Sequence, residues 1–140
     1  MPQTDVSLKA QYFPQLDGIK RKTFPVKVDS LSAVSSDVPS IVLRLPPTAD
    51  FNYLPGQYID LHHNGETRSY SVASAFMREH KIELHIKKVV DGFFSDFLFS
   101  GLKEGHLFRI FGPLGTFFLR ESSAPLIFLC TGTGFAPVKS

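Results

Sequence analysis

The stretch TRSYSVAS, residues 67–74, places an unusual set of polar groups in a sequence that otherwise reads as a β-strand. Thr67, Tyr70 and Val72 favour a strand. Arg68 and the neighbouring serines would contribute little to an apolar core. In a strand Arg68 and Tyr70 project to the same face. This face either contacts a ligand that requires a guanidinium, an aromatic ring and hydroxyls, or carries an exposed ion-paired arginine beside a surface tyrosine.

A glycine turn follows at GFFS, residues 92–95, directly before a segment whose apolar residues recur at helical spacing. Gly92 permits a close backbone approach, and a helix start offers free N–H groups and the positive end of the helix dipole to an anion. Ser95 could bind such an anion or cap the helix. A plain strand-to-helix turn explains the same residues.

Two further glycine turns lie downstream, at GPLGT (112–116) and TGTGFAP (131–137). The first could be no more than a hairpin turn between Phe111 and Phe117. The second follows an apolar run and precedes a possible helix start, which is where a glycine-rich turn receives a pyrophosphate at the edge of a parallel sheet. It does not match the G-x-G-x-x-G spacing, because position 137 is proline.

Composition is typical of a globular protein and argues against several classes of function. The chain has 140 residues, 43% of them hydrophobic, and a net charge of +2 with both signs interspersed. So weak an excess of positive charge argues against nucleic acid as a partner. The single cysteine excludes an internal disulfide and a four-thiolate metal site within this chain, and no metal site is predicted. With neither a signal-like start nor a long apolar run, we expect no membrane partner and a cytoplasmic location.

The elements that must position these residues are mostly strands. Alternating or β-branched runs separated by turns predict strands in VKVDSL, SIVLRL, YIDLHH, the opening stretch, KIELHI and HLFRIF. The segment 92–105 predicts one helix between glycines. Several short strands with one helix favour an antiparallel barrel over a βαβ fold. APLIFLC, residues 124–130, is continuously apolar and predicts a strand buried on both faces, as in a parallel sheet.

Taken in order, R-x-Y-S, G-x-x-S, G-P-x-G and G-T-G-x-A-P resemble the motifs of the ferredoxin–NADP reductase superfamily of flavoproteins. The resemblance runs from about residue 11 to the last residue. It implies an all-β fold, a six-stranded antiparallel Greek-key barrel with one short helix, followed by the first strand of a truncated α/β domain. The expected organisation is a linker or arm over 1–24, an FAD-binding barrel over 25–122 and the start of an NAD(P)-binding domain over 123–140.

The resemblance also implies roles for individual residues. Arg68 would pair with the FAD pyrophosphate, Tyr70 would stack on the flavin ring, and Ser71 would lie at the flavin N5 edge. Ser71 and Thr133 are the residues expected to act in catalysis. Strand alternation puts Ser71 on the face opposite Tyr70, so the strand must twist or end there, or Ser71 must use its backbone. The full set expected to bind cofactor is Arg68, Ser69, Tyr70, Ser71, His85, Ile86, Lys87, Gly92, Phe93, Phe94, Ser95, Gly132, Thr133 and Gly134.

Within that set, His85 and Lys87 are explained equally well by a solvated strand face. Within this superfamily, the full-length reductase that the sequence most resembles carries a [2Fe–2S] domain and an NAD domain as well. A complete form would therefore use NAD(P)H and pass electrons to an iron–sulfur acceptor or a dehydrase partner, whereas this chain is expected to lack full turnover. Two alternatives stay open: a stand-alone NAD(P)H:flavin reductase, and a non-catalytic Greek-key barrel that binds a protein or single-stranded nucleic acid.

Overall fold

Six β-strands dominate the secondary structure of the protein. The structure, a computed structural model, describes residues 11–75, 79–90 and 92–140, without the side chains of Phe93 and Phe94. The strands are β1 (Lys22–Ser35), β2 (Val38–Arg44), β3 (Tyr58–His63), β4 (Glu66–Ser71), β5 (Lys81–His85) and β6 (Leu107–Leu114). The helices are α1 (Phe93–Ser100), the short α2 (Ala136–Lys139), and two 3-10 turns at Pro14–Leu16 and Gly132–Phe135.

The strands form one antiparallel sheet in the order β4-β3-β6-β1-β2-β5. Its two outer strands meet at a short seam, where Val72 forms an isolated bridge with Leu84 and the Ala73 N–H donates to Glu83 O at 2.8 Å. The seam closes the sheet into a barrel. The connections β2–β3 and β5–β6 join strands that are not neighbours, which gives the Greek-key pattern. The predicted all-β antiparallel barrel with one short helix is confirmed.

The barrel core follows from the two-residue period of the strands. Alternate side chains point inward, so the predicted apolar faces are the buried ones. Asn64 and Gly65, with φ of 49° and 81°, form the tight turn between β3 and β4. They belong to the segment NGE, residues 64–66, and Asn-Gly is a residue pair that such turns favour. The strand residues in the core are Phe24, Val26, Val28, Ile41, Leu43, Ile59, Leu61, Ile82, Leu84, Phe108 and Ile110.

Helix α1 packs on the barrel through aromatic rings. Leu98 is buried, and Phe97 and Phe99 pack against the core. The Phe97 ring stacks on the His63 ring at the end of β3, with centroids 4.2 Å apart and planes 16° apart. The helix predicted between the glycines is therefore present and is fixed to the β3 end of the barrel.

Two segments differ from the prediction. GPLG is not a hairpin turn, because β6 continues to Leu114 and pairs there with Tyr58 of β3. Residues 124–130, predicted as a doubly buried strand, form no strand: Leu129 is 95% exposed and Cys130 is exposed. The reason is that such a strand needs hydrogen-bonding neighbours and a covering layer. Within the described ranges the barrel strands pair with one another and leave none for it.

Within the described residues, no helix has the length and apolar character needed to cross a membrane.

Candidate functional site

The seam between β4 and β5 opens into a free strand edge. Beyond the Val72–Leu84 bridge, the chain after β5 follows β2, with Ile86 N–H donating to Pro39 O at 3.1 Å. Strand β4 instead pairs with β3 over all six of its residues. The two outer strands therefore diverge, and the far side of β4 has no strand neighbour among the described residues. We call this side the β4 edge.

Arg68 and Tyr70 lie on one face of β4. They stand opposite Leu61 and Ile59 in the β3–β4 register, so both project towards the face that holds the core. Tyr70 is half-buried and packs against the core, and this desolvation raises its pKa to about 12, a rise that the Arg68 charge partly offsets. The phenol is therefore neutral at physiological pH. The structure brings together the predicted guanidinium and aromatic ring.

A chain of contacts joins α1 to Arg68. Phe97 of α1 stacks on His63, and His63 is paired with Glu66 across the β3–β4 turn. Arg68 Nη2 lies 3.0 Å from Glu66 Oε2, and Arg68 Nη1 donates to Thr67 O at 2.8 Å. Since the Arg68 side chain is 54% exposed, it can turn towards an anion at the surface. Helix α1 and the Arg68 guanidinium thus belong to one region of the molecule.

The start of α1 carries backbone donors that the helix itself does not pair. Gly92 is the N-cap in extended conformation and makes no side-chain cap, and the Asp96 N–H donates to Gly92 O at 2.7 Å. The amides of Phe93, Phe94 and Ser95 precede that bond and have no carbonyl within the helix. Ser95 is buried, and its Oγ accepts from Val89 N–H at 2.9 Å, which fixes the loop between β5 and α1. Its hydroxyl proton remains available to an acceptor.

Ser71 faces away from Tyr70. It is the last residue of β4, it pairs with Tyr58, and both line an open cavity of about 600 Å³ together with Gly134. Because Val72 N–H donates to Gln57 O at 3.0 Å, the alternation of the ladder points the Ser71 amide away from β3 and towards the β4 edge. The strand ends at Ser71, which is one of the possibilities expected from the sequence. The Ser71 side chain lies at the larger cavity, whereas its amide faces the β4 edge.

Ser69 is engaged within the sheet. Its side chain is exposed, and its Oγ donates to Asp60 Oδ1 at 2.5 Å.

His85, Lys87 and Gly132 line a smaller cavity of about 200 Å³ beside the tip of the β1–β2 hairpin. His85 is not on a solvated face: it is 6% exposed, and its Nε2 lies 2.9 Å from Glu83 Oε1. The neighbouring Ile86 side chain is in the core, so only its backbone can face a ligand. The structure therefore separates the predicted residues of this segment into one cavity-lining pair and one core residue.

The terminal glycine turn lies between these two cavities. Gly132 lines the smaller and Gly134 the larger, while Thr133 is half-buried within the 3-10 turn. Gly134 N–H donates to Thr131 O at 3.0 Å. Helix α2 starts at Ala136, where the sequence indicates a helix start.

Sequence reasoning missed three residues of this region. Tyr58 lines the larger cavity, and a Cβ at Gly115 would lie 2.8 Å from its ring. Glu83 accepts from His85 on one side and from Lys139 on the other. Tyr58 could have been found as the outward-facing partner of Ser71. The Glu83–Lys139 contact spans 56 residues and leaves no local signal in the sequence.

The chain matches a family of FAD-binding domains and is similar in sequence to named reductases. The family described as "Oxidoreductase FAD-binding domain" matches residues 25–119. The "CDP-6-deoxy-L-threo-D-glycero-4-hexulose-3-dehydrase reductase" of Yersinia pseudotuberculosis serotype I is 53% identical over 138 residues, which are 99% of this chain and 42% of that protein. "Protein RfbI" of Salmonella typhimurium LT2 is 52% identical over 139 residues, with the same coverage. The chain thus spans about two fifths of these relatives.

The barrel also resembles solved structures. The crystal structure of the Amycolatopsis cytochrome P450 reductase GcoB superposes with a TM-score of 0.78 at 28% identity, covering 85% of this chain and 37% of that one.

Proposed function

The chain belongs to the oxidoreductase FAD-binding domain family, and we propose that it holds FAD along the β4 edge as the flavin-binding part of an NAD(P)H-dependent electron-transfer reductase. The observation that carries this proposal is the placement of Arg68 and Tyr70. They share one face of a strand whose outer edge is open, in the region where Phe97 of α1 stacks on His63. A planar ring joined to a pyrophosphate requires this combination of an aromatic surface and anion-binding groups.

Tyr70 fits the ring system. Its phenol is held by the core on one side, so stacking a planar group on it needs little further ordering. The Ser71 amide points to the same edge and offers a donor to the rim of that group, as the ladder alternation requires. We assign the contact at the flavin N5 edge to Ser71, through its backbone, its hydroxyl or both.

Arg68 and the start of α1 fit the pyrophosphate. A guanidinium provides a planar fork of donors, and the amides of residues 93–95 provide further donors at the positive end of the helix dipole. The Ser95 hydroxyl can donate one more bond while it holds the loop. His85 and Lys87 are proposed to border the adenosine half, in the smaller cavity.

Bound FAD would accept a hydride and release the electrons one at a time. The chain's own residues orient the ring, neutralise the phosphates and border the reacting edge. We propose that Ser71, Thr133 and the glycines of the terminal turn border the place where the nicotinamide arrives, because Ser71 and Gly134 line one cavity.

For the whole protein we propose the activity of CDP-6-deoxy-3,4-glucoseen reductase, which supplies electrons in 3,6-dideoxyhexose biosynthesis. The support is the 53% identity to the Yersinia reductase across 99% of this chain. The electron acceptor would be an iron–sulfur centre or the dehydrase itself.

Uptake of FAD by the purified chain tests the proposal. We expect FAD to co-elute with the protein on gel filtration, and Tyr70→Leu to lose it while Tyr12→Leu, a change at an exposed tyrosine away from the β4 edge, retains it. NADH should not bleach the bound flavin at an enzymatic rate. A folded chain that takes up no FAD would refute the proposal, and rapid bleaching at micromolar NADH would favour a stand-alone flavin reductase.

A further inference from the structure

Helix α2 is tied to the barrel by a charged contact with β5. Lys139 Nζ donates to Glu83 Oε2 of β5. The two side chains are 39% and 24% exposed, so the pair is partly shielded from water. Such a pair contributes more than a fully exposed one, since the surrounding protein screens the attraction less.

Glu83 is prepared for this contact by its other partners. Its Oε1 accepts from Ser40 Oγ at 2.8 Å and lies 2.9 Å from His85 Nε2. Desolvation alone would raise the pKa of this carboxyl, but the hydrogen bonds from Lys139, Ser40 and His85 outweigh it and lower the pKa. The carboxylate is therefore ionised, and Ser40 and His85 hold its Oε1 in place while its Oε2 accepts from Lys139.

A second anchor holds the other side of α2. Gly56 N–H donates to Ser140 Oγ at 2.7 Å, and Ser140 Oγ donates to Pro137 O at 2.9 Å. Ala136, the first residue of α2, is 1% exposed. With one anchor on β5, one on the turn before β3 and a buried residue between them, the short helix has little freedom to move on the barrel.

We propose that the Glu83–Lys139 ion pair is a positioning contact that keeps the glycine turn, residues 131–135, in place over the cavity it shares with Ser71. The turn leads directly into α2, so holding α2 holds Gly134 opposite Ser71. This inference rests on the proposed function, because it makes Lys139 and Glu83 determinants of how a nicotinamide meets the flavin edge. Neither residue is among those proposed to contact the flavin ring or the pyrophosphate.

The first measurement is hydrogen exchange, followed by mass spectrometry, on the peptide covering 131–140. Lys139→Met should accelerate exchange of the Gly134, Ala136 and Ser140 amides about tenfold, the factor expected for one charge-assisted hydrogen bond. Lys139→Arg should restore protection, and Lys27→Met, at an exposed lysine of β1, should leave it unchanged. Barrel peptides report that each variant is folded.

The second measurement separates positioning from mere stability. Oxidised nicotinamide mononucleotide, which lacks the adenosine half, is titrated into the FAD-loaded chain while the flavin absorption spectrum is recorded. Its apparent Kd should rise about tenfold in Lys139→Met, in step with the exchange. The Kd for FAD should stay the same.

Unchanged exchange in Lys139→Met would overturn the proposal, as would equal acceleration by Lys27→Met. Faster exchange with no effect on the nicotinamide titration, or no spectral response in the wild type, would overturn the positioning role. A wild-type chain that binds no FAD would instead refute the proposed function, and the exchange data would still decide whether the ion pair holds the turn.

Discussion

Replacing Arg68 by alanine should weaken FAD binding without destabilising the barrel. The side chain is 54% exposed, and its described partners are Glu66 and the Thr67 carbonyl. Exposed ion pairs contribute ~0–1 kcal/mol to stability, so losing the Glu66 pair in Arg68→Ala should lower the free energy of unfolding by no more than that. A charge-assisted hydrogen bond to a phosphate contributes about 1.5–3 kcal/mol, which corresponds to a loss of affinity of about 10- to 150-fold.

A change at Glu66 should have the opposite effect on FAD affinity. It lies 3.0 Å from the Arg68 guanidinium and competes with any phosphate for it. Glu66→Gln removes that competition and one negative charge near the proposed phosphates. We expect FAD affinity to rise about two- to fivefold, as an exposed pair worth ~0.4–1 kcal/mol allows.

The assay is quenching of FAD fluorescence on titration with protein, at low and at physiological salt, with urea unfolding of each variant. Arg109→Ala, at an exposed position of β6, is the matched control for loss of one positive charge. Equal affinities for wild type and Arg68→Ala would show that Arg68 does not bind the pyrophosphate. An equal loss of FAD affinity in Arg109→Ala would show that the effect comes from the net charge of the protein and not from Arg68 itself.

Three further predictions concern the framework of the site. Ser95→Ala removes the hydroxyl that accepts from the Val89 amide and should lower the free energy of unfolding by about 0.5–1.5 kcal/mol in urea titrations. No change would mean that water replaces the hydroxyl. The Gly56→Ala variant should not fold, because its Cβ would lie 1.7 Å from Phe117 O at a φ of +98°. At the control position Gly18, an added Cβ meets nothing within 4 Å, so Gly18→Ala should fold. Circular dichroism of both variants tests this. Desolvation and the His106 charge lower the pKa of His63, so the folded state favours the neutral ring. The free energy of unfolding should therefore be constant above about pH 6.5 and should decrease below it. In urea unfolding measured at pH 7.5 and 5.5, His63→Phe should remove this pH dependence.

The strands were predictable because their side chains repeat every two residues. Ile82 and Leu84 are buried as their alternation requires, and the NGE segment forms the tight turn that its residues favour. Helix α1 was predictable from the spacing of its phenylalanines between glycines. These features depend on local chemistry, which a sequence displays directly.

What depends on distant parts of the chain was not predictable from local pattern. His85 alternates with buried residues and reads as exposed, yet its face is covered by the β1–β2 hairpin and the terminal turn. Residues 124–130 have the composition of a buried strand, but a strand forms only where neighbours supply hydrogen bonds. The end of β4 at Ser71 depends on its pairing with β3, which no local pattern shows.

The seam at Val72 and Leu84 is the junction at which the ring of strands opens most easily. Every other junction in the ring is a ladder of at least four residue pairs, but this one is an isolated bridge supported by a neighbouring hydrogen bond. Widening the ring there breaks those few bonds and leaves the remaining ladders intact. An elongated ligand can therefore bind along β4 with a small free-energy cost of opening the barrel. The amides next to the bridge should be the first of the barrel amides to exchange with solvent.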